Sequence, residues 1–188
     1  MMKYLILVAV LFGCSQIKKN PYESATKSES DAFKVVRIPL PSGTKYMIGY
    51  SPMRDGNRHY SWAFNVPYGT PVVAMEEGEV TLVRDSGTGG GCDEKYEGQG
   101  HLIRIRQPDG SIAQYLHLHP KVKVGDQVKK GQVIAETALN GMMCGPHLLI
   151  LVYENQKEAE KGHDGKTIPM RFTGIPGLAL AGFEGKVP

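Results

Sequence analysis

The stretch Gly145-Pro146-His147-Leu148-Leu149-Ile150-Leu151-Val152-Tyr153 decides the fold class of this chain. Residues 148 to 153 are apolar, Pro146 fixes the entry to the run, and polar residues follow it, which is typical of a buried strand. Side chains alternate between the two faces of a strand, so positions 147 and 149 project from the same face. A histidine at both positions would present two imidazoles to one metal ion, but position 149 is leucine, which has no lone pair to offer.

The overall composition indicates one soluble globular domain with short tails. The chain has 188 residues, 22% of them charged, and a formal net charge of +3. Its 23 glycines and 12 prolines are typical of short strands joined by tight turns rather than of a helical protein. Because the basic residues are interspersed with acidic ones and form no stripe, no nucleic-acid partner is expected.

Alternating apolar residues and turn signals predict an all-β fold, mainly antiparallel, with little helix. The segment 85–100 is the longest unpatterned one inside the domain, and loops of that length usually border a functional site. Residues 157–167 form a charged excursion, after which 168–172 is expected to return to the sheet edge. The predicted strand segments are 33–40, 45–50, 59–74 with a central turn, 80–84, 101–106, 112–118, 122–135 in two pieces, and 147–153.

The first 14 residues resemble a bacterial lipoprotein signal peptide. A lysine precedes an apolar core, and Leu11-Phe12-Gly13-Cys14 ends it in the manner of a lipobox, in a segment too short for a permanent membrane span. The resemblance implies lipidation of Cys14 and anchoring to a membrane facing the periplasm, and Ser15 in place of aspartate points to the outer membrane. Residues 15–32 are polar and aperiodic, which predicts a flexible tether to a domain over 33–188.

Two further cysteines, Cys92 and Cys144, form an even pair in a protein expected to reach an oxidising compartment. We therefore expect a disulfide that joins the loop 85–100 to the loop entering the His147 strand. Two unpaired buried thiols are the alternative.

Three histidines, His59, His117 and His147, lie on predicted strands of one sheet and suggest a site, although a lone strand histidine is more often structural. The segments around these histidines favour a functional site over a structural role, because several of them occur in a characteristic order. They are Pro67-Tyr68-Gly69-Thr70-Pro71-Val72, Gly78-Glu79-Val80, Tyr115-Leu116-His117-Leu118, Val124-Gly125-Asp126-Gln127-Val128 and Gly145-Pro146-His147-Leu148. Together, over about 59–172, they resemble the catalytic domain of lysostaphin-like (LytM-type) zinc metallopeptidases, β-sheet enzymes that cut peptidoglycan cross-bridges.

The resemblance implies roles for individual residues. In active members zinc is held by a histidine, an aspartate, and the second histidine of a His-x-His strand, while two further histidines assist the bound water. His59 matches the first ligand, and His117 and His147 match the two assisting, catalytic positions. The aspartate position falls at Asn65 or at Ala63, depending on the alignment, and the last ligand position falls at Leu149.

Both of these ligand positions depart from the pattern, since neither offers a carboxylate or an imidazole. Catalytic zinc needs three protein ligands and an open fourth position, so no cofactor is expected here. Other histidines are candidates to substitute, and His119 shares a predicted strand face with His117. The remaining ones are His101 and His163.

Three functions follow as hypotheses. The first is a degenerate, non-catalytic member that is lipid-anchored and binds peptidoglycan or regulates a cell-wall hydrolase. The second is an active zinc endopeptidase with a shifted metal set of His59, His117 and His147. The third is a carrier module, because 124–134 also resembles biotinyl and lipoyl domains, but no lysine stands at a hairpin tip in the required context.

Overall fold

A computed structural model describes residues 33–49, 60–175 and 183–188. The predicted signal peptide, the lipidation site Cys14, the tether and His59 lie outside the described residues. The strands are β1 Lys34–Val36, β2 Lys45–Gly49, β3 Ser61–Asn65, β4 Pro71–Val73, β5 Gly78–Arg84, β6 Gly90–Gly91, β7 Leu102–Arg106, β8 Ile112–Leu116, β9 Leu118–Pro120, β10 Gln127–Val128, β11 Val133–Thr137, β12 Gly141–Met142, β13 His147–Tyr153, β14 Met170–Phe172 and β15 Glu184–Lys186.

Eight of these strands form one antiparallel sheet in the order β10-β5-β7-β8-β13-β3-β2-β15. A second antiparallel sheet has the order β4-β11-β9, and the pairs β1-β14 and β12-β6 are parallel. Helix is confined, in the described ranges, to α1 at Gln156–Glu160 and two 3₁₀ turns at Glu94–Tyr96 and Gly162–Asp164. The expected all-β class is therefore confirmed. No helix in the described ranges is long and apolar enough to cross a membrane.

The main core lies between the eight-stranded sheet and the three-stranded one. Strand β13 sends Leu148, Ile150 and Val152 into this core, where each is fully buried. From the facing sheet, Val72 and Ile134 are equally inaccessible. The opposite face of β13 carries His147 and Leu149, both partly exposed, so the alternation predicted for this strand holds.

Two strand predictions are corrected by the structure. Residues 168–172 do not return to the edge of the main sheet, because β14 pairs in parallel with β1 in a sheet of its own. The predicted strand 112–118 breaks at His117, whose backbone φ is 64°. That left-handed conformation turns the chain out of β8 in the large sheet and into β9 in the small one.

The two sheets are tied together by a buried hydrogen bond from β8. The phenol oxygen of Tyr115, a fully buried residue, accepts a hydrogen bond of 2.8 Å from the backbone N–H of Met75. Met75 follows strand β4 of the small sheet and is itself fully buried. Water therefore cannot replace this acceptor without a rearrangement of the core.

We expect Tyr115→Phe to lower the free energy of unfolding by about 1 to 3 kcal/mol, because it leaves the buried Met75 N–H without an acceptor. Tyr46→Phe is the matched control, since Tyr46 is also a buried tyrosine on this sheet but its hydroxyl bonds to no other described residue. Urea unfolding of the three proteins measures the difference. Equal losses in the two variants would contradict the assignment.

Candidate functional site

His117 lies at the joint between the two sheets and is held there from three sides. Its backbone N–H donates to the carbonyl of His101 at 3.1 Å, and its own carbonyl accepts from Ala138 N at 2.9 Å. Its ring Nδ1 lies 2.8 Å from the backbone oxygen of Asn140. With only 6% of its surface exposed, His117 is a fixed rather than a mobile imidazole.

Asn140 organises this corner of the fold, and sequence analysis did not single it out. Its Oδ1 accepts from the N–H of His101 at 2.8 Å, and its Nδ2 donates to the carbonyl of Leu118 at 3.0 Å. The residue is 3% exposed, so its side chain fixes the backbone oxygen that positions His117. The only available signal was Asn140-Gly141, a dipeptide typical of turns.

His147 enters the site from the first position of β13. Its Nδ1 lies 2.9 Å from the carbonyl oxygen of Gly145, and its ring centroid lies 4.8 Å from that of His117, with the planes at 72°. A carbonyl only accepts hydrogen bonds, so in the neutral form both rings carry their proton on Nδ1. Both Nε2 atoms are then acceptors, and neither is bonded to another described residue.

The electrostatics of the pair favour the neutral forms. Burial lowers the pKa of His117 to about 4, the Asn140 carbonyl opposes this shift, and the neighbouring His147 adds to it. Burial also lowers the pKa of His147, against the effect of the Gly145 carbonyl. Near neutral pH the site therefore presents two uncharged imidazoles as proton acceptors.

The sheet register decides what surrounds these rings. Asn65 lies directly opposite His147, and Ala63 lies directly opposite Leu149. On the other side of β13, Leu149 is opposite Leu116. Opposed residues of an antiparallel pair share a face. One row across this face, made of Ala63, Leu149 and Leu116, is therefore hydrocarbon, and the next row carries Asn65 and His147.

An open pocket of about 610 Å³ lies over this face. Its lining residues are Asn65, Val66, Pro67, Cys144, Gly145, Pro146 and His147. Cys92 and Cys144 are joined in the structure, with Cα atoms 4.3 Å apart, so the loop 85–100 is linked to the pocket wall. The disulfide closes a loop with a sequence separation of 52 residues. This restriction raises the free energy of the unfolded chain by about 4 kcal/mol.

Comparison with known proteins identifies the family of this chain. The sequence profile of Peptidase family M23 matches residues 57–161, more than half of the chain. This chain belongs to peptidase family M23. Among curated M23 relatives, lysostaphin of Staphylococcus simulans is 33% identical over 71% of this chain, and the peptidoglycan DD-endopeptidase ShyB of Vibrio cholerae is 30% identical over 68%.

A solved M23 structure is similar in fold. The catalytic domain of a variant of the prophage-encoded M23 protein EnpA from Enterococcus faecalis has a TM-score of 0.50 and 24% identity, covering 69% of this chain and 92% of that domain. The curated relatives are much longer, because the matched region spans 26% of lysostaphin and 29% of ShyB.

The described part of this M23 domain does not by itself supply the donor set of a catalytic zinc ion. A catalytic site requires three protein ligands, and positions 63 and 149 carry only hydrocarbon. In residues 33–49, 60–175 and 183–188, no three His, Cys, Asp or Glu side chains gather where a metal ion would fit. His59 lies outside these ranges, so of the three histidines singled out in the sequence the structure describes His117 and His147.

The other histidines do not complete the set. The prediction that His119 shares a strand face with His117 is wrong, because the left-handed turn at His117 carries His119 into the small sheet. There its ring packs against that of His101, with centroids 5.6 Å apart. His163 lies in a 3₁₀ turn after α1.

The pKa of His117 predicts how the stability of the domain depends on pH. Unfolded His117 binds a proton below about pH 6.5, whereas the folded form resists protonation down to about pH 4. His117 should therefore lower the stability by about 3 kcal/mol as the pH falls through this window, and His147, whose pKa is also lowered, adds to the slope. Urea unfolding at a series of pH values measures the slope.

The variant His117→Asn should flatten that slope, and asparagine tolerates the positive φ at this position. His119→Asn is the substitution control, because it makes the same change of residue at an exposed position outside the buried site. The same slope in His117→Asn and in the parent would contradict the assignment.

Proposed function

We propose that this chain is a non-hydrolytic M23 protein of the bacterial cell envelope, which uses the retained groove to bind peptidoglycan or a peptidoglycan hydrolase. The observation that carries the proposal is the cross-strand pairing of Leu149 with Ala63. Two ligand positions of one zinc ion must lie close together, and adjacent strands bring opposed residues within about 5.5 Å. We therefore assign the aspartate position of the family to Ala63 and the last ligand position to Leu149.

The chemistry of these two residues argues against hydrolysis. Neither side chain has a lone pair, so the anionic ligand and one nitrogen ligand are both missing. His59 is the remaining family ligand, and one imidazole cannot hold zinc in competition with water and buffer. Ala63 is only 8% exposed and Leu149 contacts leucine on its other side, so the surrounding hydrocarbon also disfavours a dication.

The rest of the groove supports a binding role. In the pocket wall the neutral His147 offers an acceptor nitrogen, and the amide of Asn65 both donates and accepts hydrogen bonds. No described residue is hydrogen-bonded to that amide, which leaves it available to a peptide group. A polar lining over an apolar floor is typical of ligand sites.

The cellular setting is inferred from relatives and from the amino terminus. ShyB is named as a peptidoglycan DD-endopeptidase. A related domain without hydrolytic activity is therefore well suited to binding the same polymer or the enzymes that act on it. Lipidation at Cys14 would hold the domain on a membrane, with the outer membrane as the expected location and 15–32 as the tether.

A second candidate is an active peptidoglycan endopeptidase with His59, His117 and His147 as zinc ligands. The short distance between the two imidazoles favours it, because both Nε2 atoms are free to accept. Against it, the two rings would then be ligands and could not also deprotonate the attacking water. No described carboxylate lines the pocket to take over that role.

We expect the detergent-solubilised full chain, purified without chelator, to contain well under one zinc per chain, because its ligand set is incomplete. It should sediment with purified sacculi without releasing soluble fragments. Elemental analysis and fragment chromatography make the two measurements. One tightly held zinc that is lost in His59→Ala, with release of fragments, would establish the second candidate instead.

Restoring the ligands tests the assignment of positions. Ala63→Asp combined with Leu149→His should bind roughly one zinc per chain, since it supplies the missing carboxylate and imidazole on facing strands. Asn65→Asp combined with Leu149→His is the matched control and should bind zinc less tightly, because residue 65 faces His147 instead. Zinc titration of the two folded variants measures this, and the reverse order of affinity would move the aspartate position to residue 65.

A further inference from the structure

Two strands of the large sheet lie outside the region matched by the M23 profile. Strands β2 and β15 extend the sheet beyond β3, the strand that carries Asn65. Tyr46 and Ile48 of β2 are buried in the main core. Because side chains alternate, Lys45 and Met47 project from the opposite face, which is the face that carries Asn65 and His147.

The register of these strands places two lysines together. Lys45 lies directly opposite Lys186, and Met47 lies between Glu184 on one side and Asn65 on the other. Both lysines are exposed, and neither forms an ion pair with a described carboxylate. Like charges placed directly opposite each other destabilise a sheet, so this pair costs stability where it stands.

Protection of the sheet edge explains only one of the two lysines. Charged side chains on edge strands prevent unwanted pairing with other chains, and Lys186 is on the edge strand β15. Lys45, however, is on β2, which is paired on both sides. A function for the pair as an anion site accounts for both positions, because the two lysines leave a net positive charge after the Glu184 carboxylate on the same face is counted.

Two pockets that meet at Asn65 form a groove between the lysine pair and His147. A pocket of about 540 Å³ is lined by Lys45, Tyr46, Met47, Asn65, Glu184, Gly185 and Lys186. It shares Asn65 with the pocket that contains His147. Between the two ends, Met47 is 38% exposed and offers an apolar contact, while a Cβ at Gly49 would lie 3.0 Å from Asn65 Oδ1. Glycine at position 49 thus leaves room for the Asn65 amide.

We propose that this groove binds an extended acidic peptide, with a carboxylate between Lys45 and Lys186 and a peptide group on the Asn65 amide. A small apolar side chain of the ligand lies on Met47, and the chain continues toward His147. Alanine-rich cell-wall stem peptides with free carboxylates have this chemistry. The inference rests on the proposed binding function and specifies the ligand class of that site.

The test uses the detergent-solubilised full chain and fluorescence anisotropy with the labelled pentapeptide L-Ala-γ-D-Glu-L-Lys-D-Ala-D-Ala. A second probe is the same peptide with its carboxylates amidated. We expect the parent to bind the acidic probe about tenfold more tightly than the amidated one, because charge-assisted hydrogen bonds are lost. Raising the salt concentration should reduce this preference, since exposed charges are screened.

The variant Lys45→Gln/Lys186→Gln should lose that preference while its Tm stays the same or rises, because a like-charge pair is removed. The control Lys123→Gln/Lys129→Gln removes the same charge from exposed lysines near β10, at the opposite edge of the sheet, and should bind like the parent. A lower Tm with unchanged preference would assign the lysines a structural role and overturn the inference.

The outcomes separate this inference from the proposed function. If the parent sediments with sacculi and binds both probes equally, the carboxylate site is wrong and the binding function stands. If the parent binds neither sacculi nor either probe, the inference and the peptidoglycan form of the proposed function both fail.

Discussion

The pairing of strand β13 on both of its edges is the constraint on which the rest of this structure depends. β13 is hydrogen-bonded to β3 and to β8, so its register with each neighbour cannot slip without moving every side chain to the wrong face. The same alternation that buries Leu148, Ile150 and Val152 brings His147 and Leu149 to the groove. The core and the candidate site are thus two faces of one hydrogen-bonded unit, and the site inherits its rigidity from the core.

The second imidazole is held by a different device. His117 interrupts the strand pattern with a left-handed backbone, a conformation that costs energy and persists only where the surroundings enforce it. Asn140 holds this conformation in place. Its side chain is hydrogen-bonded to the backbone of His101 and of Leu118, and its carbonyl accepts from the His117 ring. The proposed binding function would use this arrangement, because it keeps the His117 ring beside that of His147.

The hydrocarbon row beside the candidate site affects the energetics of this face of the sheet. In a zinc enzyme the cation offsets the cost of gathering polar groups in a partly buried site. Here Ala63, Leu149 and Leu116 form an apolar row that packs without a cation, next to a row that keeps its amide and its imidazole. The domain can therefore be stable without metal and still present hydrogen-bonding groups along one edge.

Much of this could be predicted from the sequence, because the responsible signals are local. The alternation around His147, the turn-forming glycines and the absence of long amphipathic segments indicated an antiparallel β fold. The leucine at position 149 likewise pointed to an incomplete metal site. Signals of this kind need only the period of a strand and the chemistry of one side chain.

Only the tertiary structure decided how separate strands are aligned. Ala63 and Asn65 were equivalent candidates in the sequence, and it is the register of β3 on β13 that sets Ala63 opposite Leu149. The break at His117, the separation of His119 from it and the role of Asn140 depend on hydrogen bonds between segments more than 15 residues apart, such as that from the His117 ring to the Asn140 carbonyl. Likewise, Lys45 and Lys186 lie 141 positions apart along the chain and become neighbours only through the pairing of β2 with β15. Register and long-range contacts are set by packing and by turn geometry, which the local pattern of residues does not encode.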